Sequence, residues 1–345
     1  QTVPVEALAD KRARAAASSM ANYAFYLGAT NDNLEVIKAI DPRLPCGIKI
    51  FMGSSTGNML VDDENTLEQI FASTPLVIAT HCEHTPTILA NEAAARATYG
   101  DAIPFFEHPR IRSADACYRS SSLAVELAQR HDARLHVLHI STARELALFT
   151  PGDLDHKLIT AEACVHYLFF NDTAYATHGA DIKCNPAIKS VDDQQALWAA
   201  VNDGRIDVIA TDHAPHTIAE KSGPYNQAPA GLPLVQHALL SLFEHVHTGR
   251  FSIQTVVEKI AHAPARLFGI ADRGFVRDGY WADLTLVAPK TPSADLPILS
   301  KCGWSPFRGV TFGSRIAMTW VNGELRYRDG HFLPGSNGRA LEFNR

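Results

Sequence analysis

The sequence predicts an α/β fold built on a parallel sheet, open or closed into a barrel. Three observations carry that expectation. Six apolar runs, beginning near residues 23, 47, 76, 134, 157 and 206, alternate with stretches of helical character, as in a parallel sheet covered by its own crossover helices. The 345 residues are 46% hydrophobic and 20% charged, enough for one large domain or a domain plus a smaller one. After Arg273 the helical pattern gives way to short β segments.

Taken in order, Thr2 and Pro4 read as the cap and first turn of a helix reaching about Ser19. Residues 23–30 read as the first strand and 31–40 as a helix. The run 47–52 is a strand, and 64–72 a helix. Residues 76–81 are almost continuously apolar, as strands covered on both faces are. Helices are expected over 85–98 and 113–131, with a surface loop over 100–113. Strands follow at 134–140 and 157–164, a loop at 171–189, a helix at 192–201 and a strand at 205–211. A long loop, 213–232, precedes helices at 234–247 and 253–268. The tail holds short strands at 279–287 and 315–325, the second with a hairpin turn at Asn322-Gly323. The expected division is 1–272 for the α/β part and 273–345 for a small β unit.

Composition narrows the function. Net charge is -6 with no basic stripe, which argues against nucleic acid and anionic membranes as partners. No apolar run approaches the roughly 20 residues that cross a bilayer, and no signal peptide is visible at the start. Six scattered cysteines without a Cys-x-x-Cys pair favour reduced thiols and a cytoplasmic location.

Chemistry concentrates at strand ends. Lys49 sits among Ile48, Ile50, Phe51 and Met52, where a charged amine is costly to bury. Such a lysine must reach the surface, pair, lose its charge or be chemically altered. His81, His139 and Asp212 also fall at the carboxyl ends of strands, the end that carries active sites in parallel αβ barrels. Each alone has a plainer role, as a surface lysine, a core imidazole or a cap. Four on four strands point together to metal or acid–base chemistry. The string Asp212-His-Ala-Pro-His216 adds two histidines in a tight loop, ahead of the permissive Ala228-Pro-Ala-Gly231. Gly53-Ser-Ser-Thr-Gly57 fits the Gly-x-Ser-x-Gly elbow with Ser55 as nucleophile, but no helix is expected directly after it. It also lacks the Gly-Lys-Ser/Thr ending of a phosphate loop.

Five motifs, Ile48-Lys-Ile-Phe-Met-Gly-Ser54, Thr80-His81, His139-Ile-Ser141, Asn185-Pro186 and Asp212-His-Ala-Pro-His216, together resemble the dihydroorotases of the amidohydrolase superfamily and the related dihydropyrimidinases and hydantoinases. The likeness extends through Ala263-Pro-Ala-Arg-Leu-Phe-Gly269 and Tyr280-Trp-Ala-Asp-Leu284. It implies a TIM-like (β/α)8 barrel of the metal-dependent hydrolase type, plus a small β-sandwich portion. It further implies two divalent metal ions, most often zinc, and a small-molecule cyclic amide substrate. Assembly as a homo-oligomer is expected.

By the same resemblance Lys49 matches a lysine that becomes N6-carboxylated and bridges the two metals. His81 and His139 match ligands of the second metal. Asp212 matches a ligand of the first metal and the catalytic base. Asn185 and His216 match substrate contacts, with Ala230 and Gly231 as backbone contacts. The family's His-x-His pair, its carboxylate-binding arginine and its second-strand asparagine have no counterpart here, so the six strands correspond to the family's third to eighth. The expectation is therefore a stretch of a longer chain, with weakened binding at the first metal and little turnover by these 345 residues alone. Ser54 and Ser55 stand where dihydropyrimidinases carry a tyrosine, which favours dihydroorotase. The alternatives are another cyclic amidase, such as a dihydropyrimidinase or allantoinase, and a non-catalytic assembly partner.

Overall fold

The computed structural model describes residues 2–53, 60–293 and 297–345. Its larger sheet holds six strands: β1 (Leu27–Gly28), β2 (Ile48–Phe51), β3 (Ile78–His81), β4 (Leu135–Val137), β5 (Ile159–Cys164) and β6 (Val208–Ala210). They lie side by side in chain order and every neighbouring pair is parallel. Sequential order with parallel pairing requires a crossover on the same face each time, and the intervening helices supply it.

Alternation along the strands separates the two faces of the sheet. Ile48 and Ile50 are fully buried, while Lys49 and Phe51 between them keep some exposure. Ile48, Ile50, Ile78, Leu135 and Val137 join one apolar cluster with Ile70, Phe71, Ala124, Leu127 and Leu197 from the surrounding helices. The opposite face carries Lys49, leaving its polar end with the chemistry.

The helices begin where side chains can cap them. Asp63 accepts from Thr66 N at 2.7 Å to start Glu64–Ser73, and Ser113 caps Ala114–His131. Ser190 and Asp193 form a reciprocal capping box on Val191–Asp203. The first helix, Val5–Ser18, departs from this pattern. Its cap position is Pro4 and no side chain bonds there. Thr2 instead gives its carbonyl to Gly28 N at 2.8 Å, so the threonine anchors the chain against β1 rather than capping the helix.

Residues 100–113 are not the surface loop that their prolines and charges predict. They coil into short helical turns, Phe105–Glu107 and His108–Ile111, with Ile103, His108 and Ile111 buried. His108 holds two distant segments, through Tyr225 Oη and Cys184 O, each at 2.8 Å. A stretch rich in Pro and charge looks solvated in sequence, and tertiary bonds of this kind overrule that reading. Short helices also occupy part of the expected loop 171–189, at Tyr175–His178 and Gly179–Ile182.

The smaller sheet is antiparallel, in the order β10-β9-β8-β7, from β7 (Leu284–Ser293), β8 (Phe312–Val321), β9 (Glu324–Arg328) and β10 (His331–Phe332). Asn322 and Gly323 join β8 to β9 at φ 53° and 85°, the left-handed pair a two-residue hairpin needs. The tail then returns to the larger unit through bridges between Tyr23 and Ala340 and between Ile270 and Phe343. Among the described residues no helix is long and apolar enough to cross a membrane.

Candidate active site

Register brings the predicted side chains into neighbourhood. β2 pairs with β3 so that Phe51 stands opposite His81, with ring centroids 5.7 Å apart. Lys49 Nζ lies 4.6 Å from the Phe51 centroid, within range of a cation–π contact. His81 and His139 face one another edge to face. Their centroids are 4.8 Å apart and His81 Nδ1 is 3.0 Å from His139 Nε2. His139 and Asp212 each sit two residues beyond the end of their strands, at φ 44° and 48°. Left-handed backbone at a residue other than glycine is strained and persists where the surroundings enforce it. Here it ends both strands at the positions that carry the chemistry.

The electrostatics favour uncharged nitrogen. Burial pulls Lys49 down to about 8, against the opposing pull of Asp212 and Glu162. Burial also lowers His81, with Glu83 working the other way, and lowers His139 further, helped by His81, Lys49 and His166. Both imidazoles are therefore neutral near pH 7 and present lone pairs. Burial pushes the Asp212 carboxyl up to about 6, with Lys49 opposing and Glu162 adding to the shift. The residue is exposed on its open side, so solvent screening tempers that shift.

Glu83 braces the pair. It is fully buried, and its Oε2 lies 3.2 Å from His81 Nε2, though off the best hydrogen-bond axis. Burial alone would raise its carboxyl. Arg112, which pairs with Oε2, and His81 outweigh that and hold it at about 2. An ionised carboxylate behind His81 Nε2 keeps the proton on that nitrogen and turns the Nδ1 lone pair toward His139, as carboxylates do behind metal-binding histidines. If the imidazole pair takes a zinc ion, as proposed below, Glu83→Gln should lower that affinity about 10–100-fold, read by competition against a chromophoric chelator. Gly53 is fitted to the same carboxylate segment, since a Cβ there would stand 1.7 Å from Glu83 O. Gly53→Ala should therefore displace Glu83 and destabilise the fold by about 2–4 kcal/mol, read by denaturant unfolding.

Several buried polar atoms of these residues lack a hydrogen-bond partner among the described residues: His81 Nε2, which Glu83 meets only as an ion-pair contact, His139 Nδ1, Glu83 Oε1, Asn185 Oδ1 and both nitrogens of His166. Buried polar atoms are nearly always satisfied, so each of these is available to a water or a bound group. No group of three or more His, Cys, Asp or Glu side chains among the described residues could hold a metal ion on its own.

The four expected substrate contacts come from three loops that touch. Asn185 follows Lys183, whose carbonyl accepts from Gly231 N at 2.9 Å. A Cβ on Gly231, at φ 150°, would meet Ala214 O at 2.5 Å and His216 Cδ2 at 3.0 Å. Ala230 adjoins that contact, and the His216 carbonyl accepts from Trp304 Nε1 at 2.7 Å. His213, the other histidine of the motif, is a staple. Its Nδ1 accepts from Leu234 N and Val235 N at 2.9 and 3.2 Å. The serine-elbow string from Ser54 through Gly57 lies outside the described residues.

Sequence reading passed over Glu83, Glu162 and His166. Glu83 had a signal, an acid two residues after a strand-end histidine. Glu162 had one too, an acid inside an apolar strand. His166 looks like any core imidazole until its two bare nitrogens are seen.

The amidohydrolase family pattern matches residues 65–326. The chain belongs to the amidohydrolase family. A dihydroorotase of Halobacterium salinarum is 33% identical over 346 residues, covering 99% of this chain and 78% of that one. An allantoinase of Streptomyces avermitilis is 29% identical over 347 residues, covering 99% and 76%. In architecture the chain resembles the L-hydantoinase (dihydropyrimidinase) from Arthrobacter aurescens, with a TM-score of 0.91 at 24% identity over 99% of this chain and 78% of that one. The resemblance argued from the motifs is borne out for this amidohydrolase, as is its place among hydrolases of cyclic amides.

Proposed function

We propose that the protein is a metal-dependent dihydroorotase, interconverting N-carbamoyl-L-aspartate and L-dihydroorotate in pyrimidine synthesis. One observation carries the reading: the 3.0 Å approach of His81 Nδ1 to His139 Nε2, braced by a buried carboxylate. Two imidazole nitrogens sharing one tetrahedral zinc at about 2.0–2.1 Å stand roughly 3.3 Å apart. The pair is thus spaced for a cation with little movement. Two imidazoles are fewer than the donors zinc takes, and a carboxylated Lys49 would add the next. Asp212 and the same carboxylate on Lys49 would hold a second ion. The six parallel strands are, on this reading, the third to eighth of a (β/α)8 barrel, and the small sheet is part of a β-sandwich.

Metal held by these residues would supply a water-derived nucleophile near neutral pH and would polarise the amide carbonyl. The chain's residues do the rest. Asp212 would accept the proton of the attacking water and return it to the leaving ring nitrogen. His216, Asn185 and the backbone at Ala230 and Gly231 orient the substrate. Glu83 and Arg112 keep His81 in the tautomer that leaves Nδ1 free.

The test is turnover by the natural full-length protein, loaded with Zn2+ in bicarbonate, against dihydroorotate, dihydrouracil, hydantoin and allantoin. Preference for dihydroorotate supports the proposal. Preference for allantoin would favour the second reading, for which the Streptomyces relative speaks. No turnover of any would leave a non-catalytic partner.

A further inference from the structure

Two lysines are buried away from the metal-binding side chains. Lys221 is 2% exposed and Lys183 9%. Lys221 Nζ donates to Lys183 O at 3.1 Å, Pro229 O at 2.9 Å and Gly231 O at 3.1 Å. Lys183 Nζ donates to Tyr225 O at 2.6 Å and Ala228 O at 2.7 Å, and lies 4.3 Å from the Tyr225 ring centroid. Burying an ammonium is costly unless every proton finds an acceptor, and backbone carbonyls meet that need. A methionine would fill similar volume without the cost. What the charge adds is a grip on the backbone.

That grip links the three substrate loops. Lys183 precedes Asn185 by two residues, and its carbonyl receives both Gly231 N and Lys221 Nζ. Lys221 closes the short helix Ile218–Lys221, whose Thr217/Glu220 capping box starts at the residue that follows His216 in the chain. Gly231 in turn packs on Ala214 and His216 with no room for a Cβ. Moving 225–231 therefore moves both Asn185 and His216.

We propose that Lys183 and Lys221 form a positioning clamp, two ammonium groups on five loop carbonyls, that sets the spacing of the Asn185, His216 and Ala230–Gly231 loops and thereby the affinity for the cyclic amide. The link to affinity rests on the proposed function; the clamp does not.

Hydrogen exchange and steady-state kinetics on the natural protein, with Lys221→Met, Lys183→Met and Lys221→Arg, test it. In each methionine variant the amides of Gly231 and Ala214 should lose about tenfold protection while those of β2 to β5 keep theirs. KM should rise about tenfold with kcat within about threefold, and Lys221→Arg, which keeps the charge, should restore most of KM. Should Lys221→Met fail to fold, Lys183→Met carries the test, since it removes two hydrogen bonds where Lys221→Met removes three. Unchanged protection at Gly231 and Ala214 would overturn the clamp, as would loss spread evenly over the sheet. If the parent protein turned over none of the cyclic amides, the dihydroorotase reading would fail while exchange still decided the clamp.

Discussion

On the proposed function, Lys49→Met should abolish turnover and, in the metal-free protein, should raise stability at pH 7. The two effects share one cause. Burial holds the Lys49 ammonium at about 8, below its ordinary 10.5. A depressed amine means that the unfolded chain binds the proton more tightly. The native state then gains its full benefit only above the unfolded value, and loses it as pH falls through the folded one. At pH 7 the charged side chain is a burden of about 3 kcal/mol, which methionine removes. The gain should shrink above pH 8 and vanish past the ordinary lysine value. Urea unfolding at pH 7 and pH 10 measures it.

The same depression prepares the reactive form. Roughly a tenth of an amine titrating at about 8 is neutral at pH 7, against well under a thousandth for an ordinary lysine. On the proposed function, the neutral amine would attack the carbon of CO2 and lose a proton from the nitrogen, leaving a carboxylate. Methionine can form none, so turnover should drop by more than about 1,000-fold. A carbon-labelled bicarbonate resonance present in the parent and lost in Lys49→Met would identify the adduct.

Asp212→Asn should lower kcat about 100- to 10,000-fold while the ion held by His81 and His139 stays bound. Asparagine keeps the shape and the left-handed preference of the position, at φ 48°, so the loss reports the proton acceptor and not the backbone. Its stability effect has a defined sign. Burial raises the carboxyl to about 6, with Lys49 opposing. An acid raised in the native state stabilises it at low pH, and that support is lost as pH rises through the folded value. Asp212→Asn should therefore gain stability over the parent above about pH 6 and none below the ordinary aspartate range. Because Lys49 and Asp212 act on each other, Lys49→Met and Asp212→Asn should combine non-additively.

The parallel sheet was legible because its strands are apolar runs divided by capped helices. Asp63, Ser113 and Ser190 mark helix starts in the sequence and cap them in the fold. Strand lengths were overread. Residues 23–30 keep a ladder only at Leu27–Gly28, because apolar content says what is buried and not what is paired. Lys49 stood out as a charge in an apolar run, and His81 and His139 as strand-end imidazoles. Their mutual approach needed the registers of β2 on β3 and of β3 on β4, and the turn of backbone at His139. Glu83 gains its importance from Arg112, 29 residues away, and no local pattern announces such a pair. The lysine clamp was hidden for the same reason. Lys183 and Lys221 read as ordinary surface lysines in polar loops until their carbonyl partners are in place.

The central claim is that Lys49, His81 and His139 face one cation. An equilibrium titration of the metal-stripped natural protein with Co2+ in bicarbonate, followed in the visible, tests it most directly. Intense bands of a low-coordinate nitrogen–oxygen site are predicted, weakened in both Lys49→Met and His139→Ala. A spectrum matching the free aqueous ion, or bands that neither substitution alters, would contradict it.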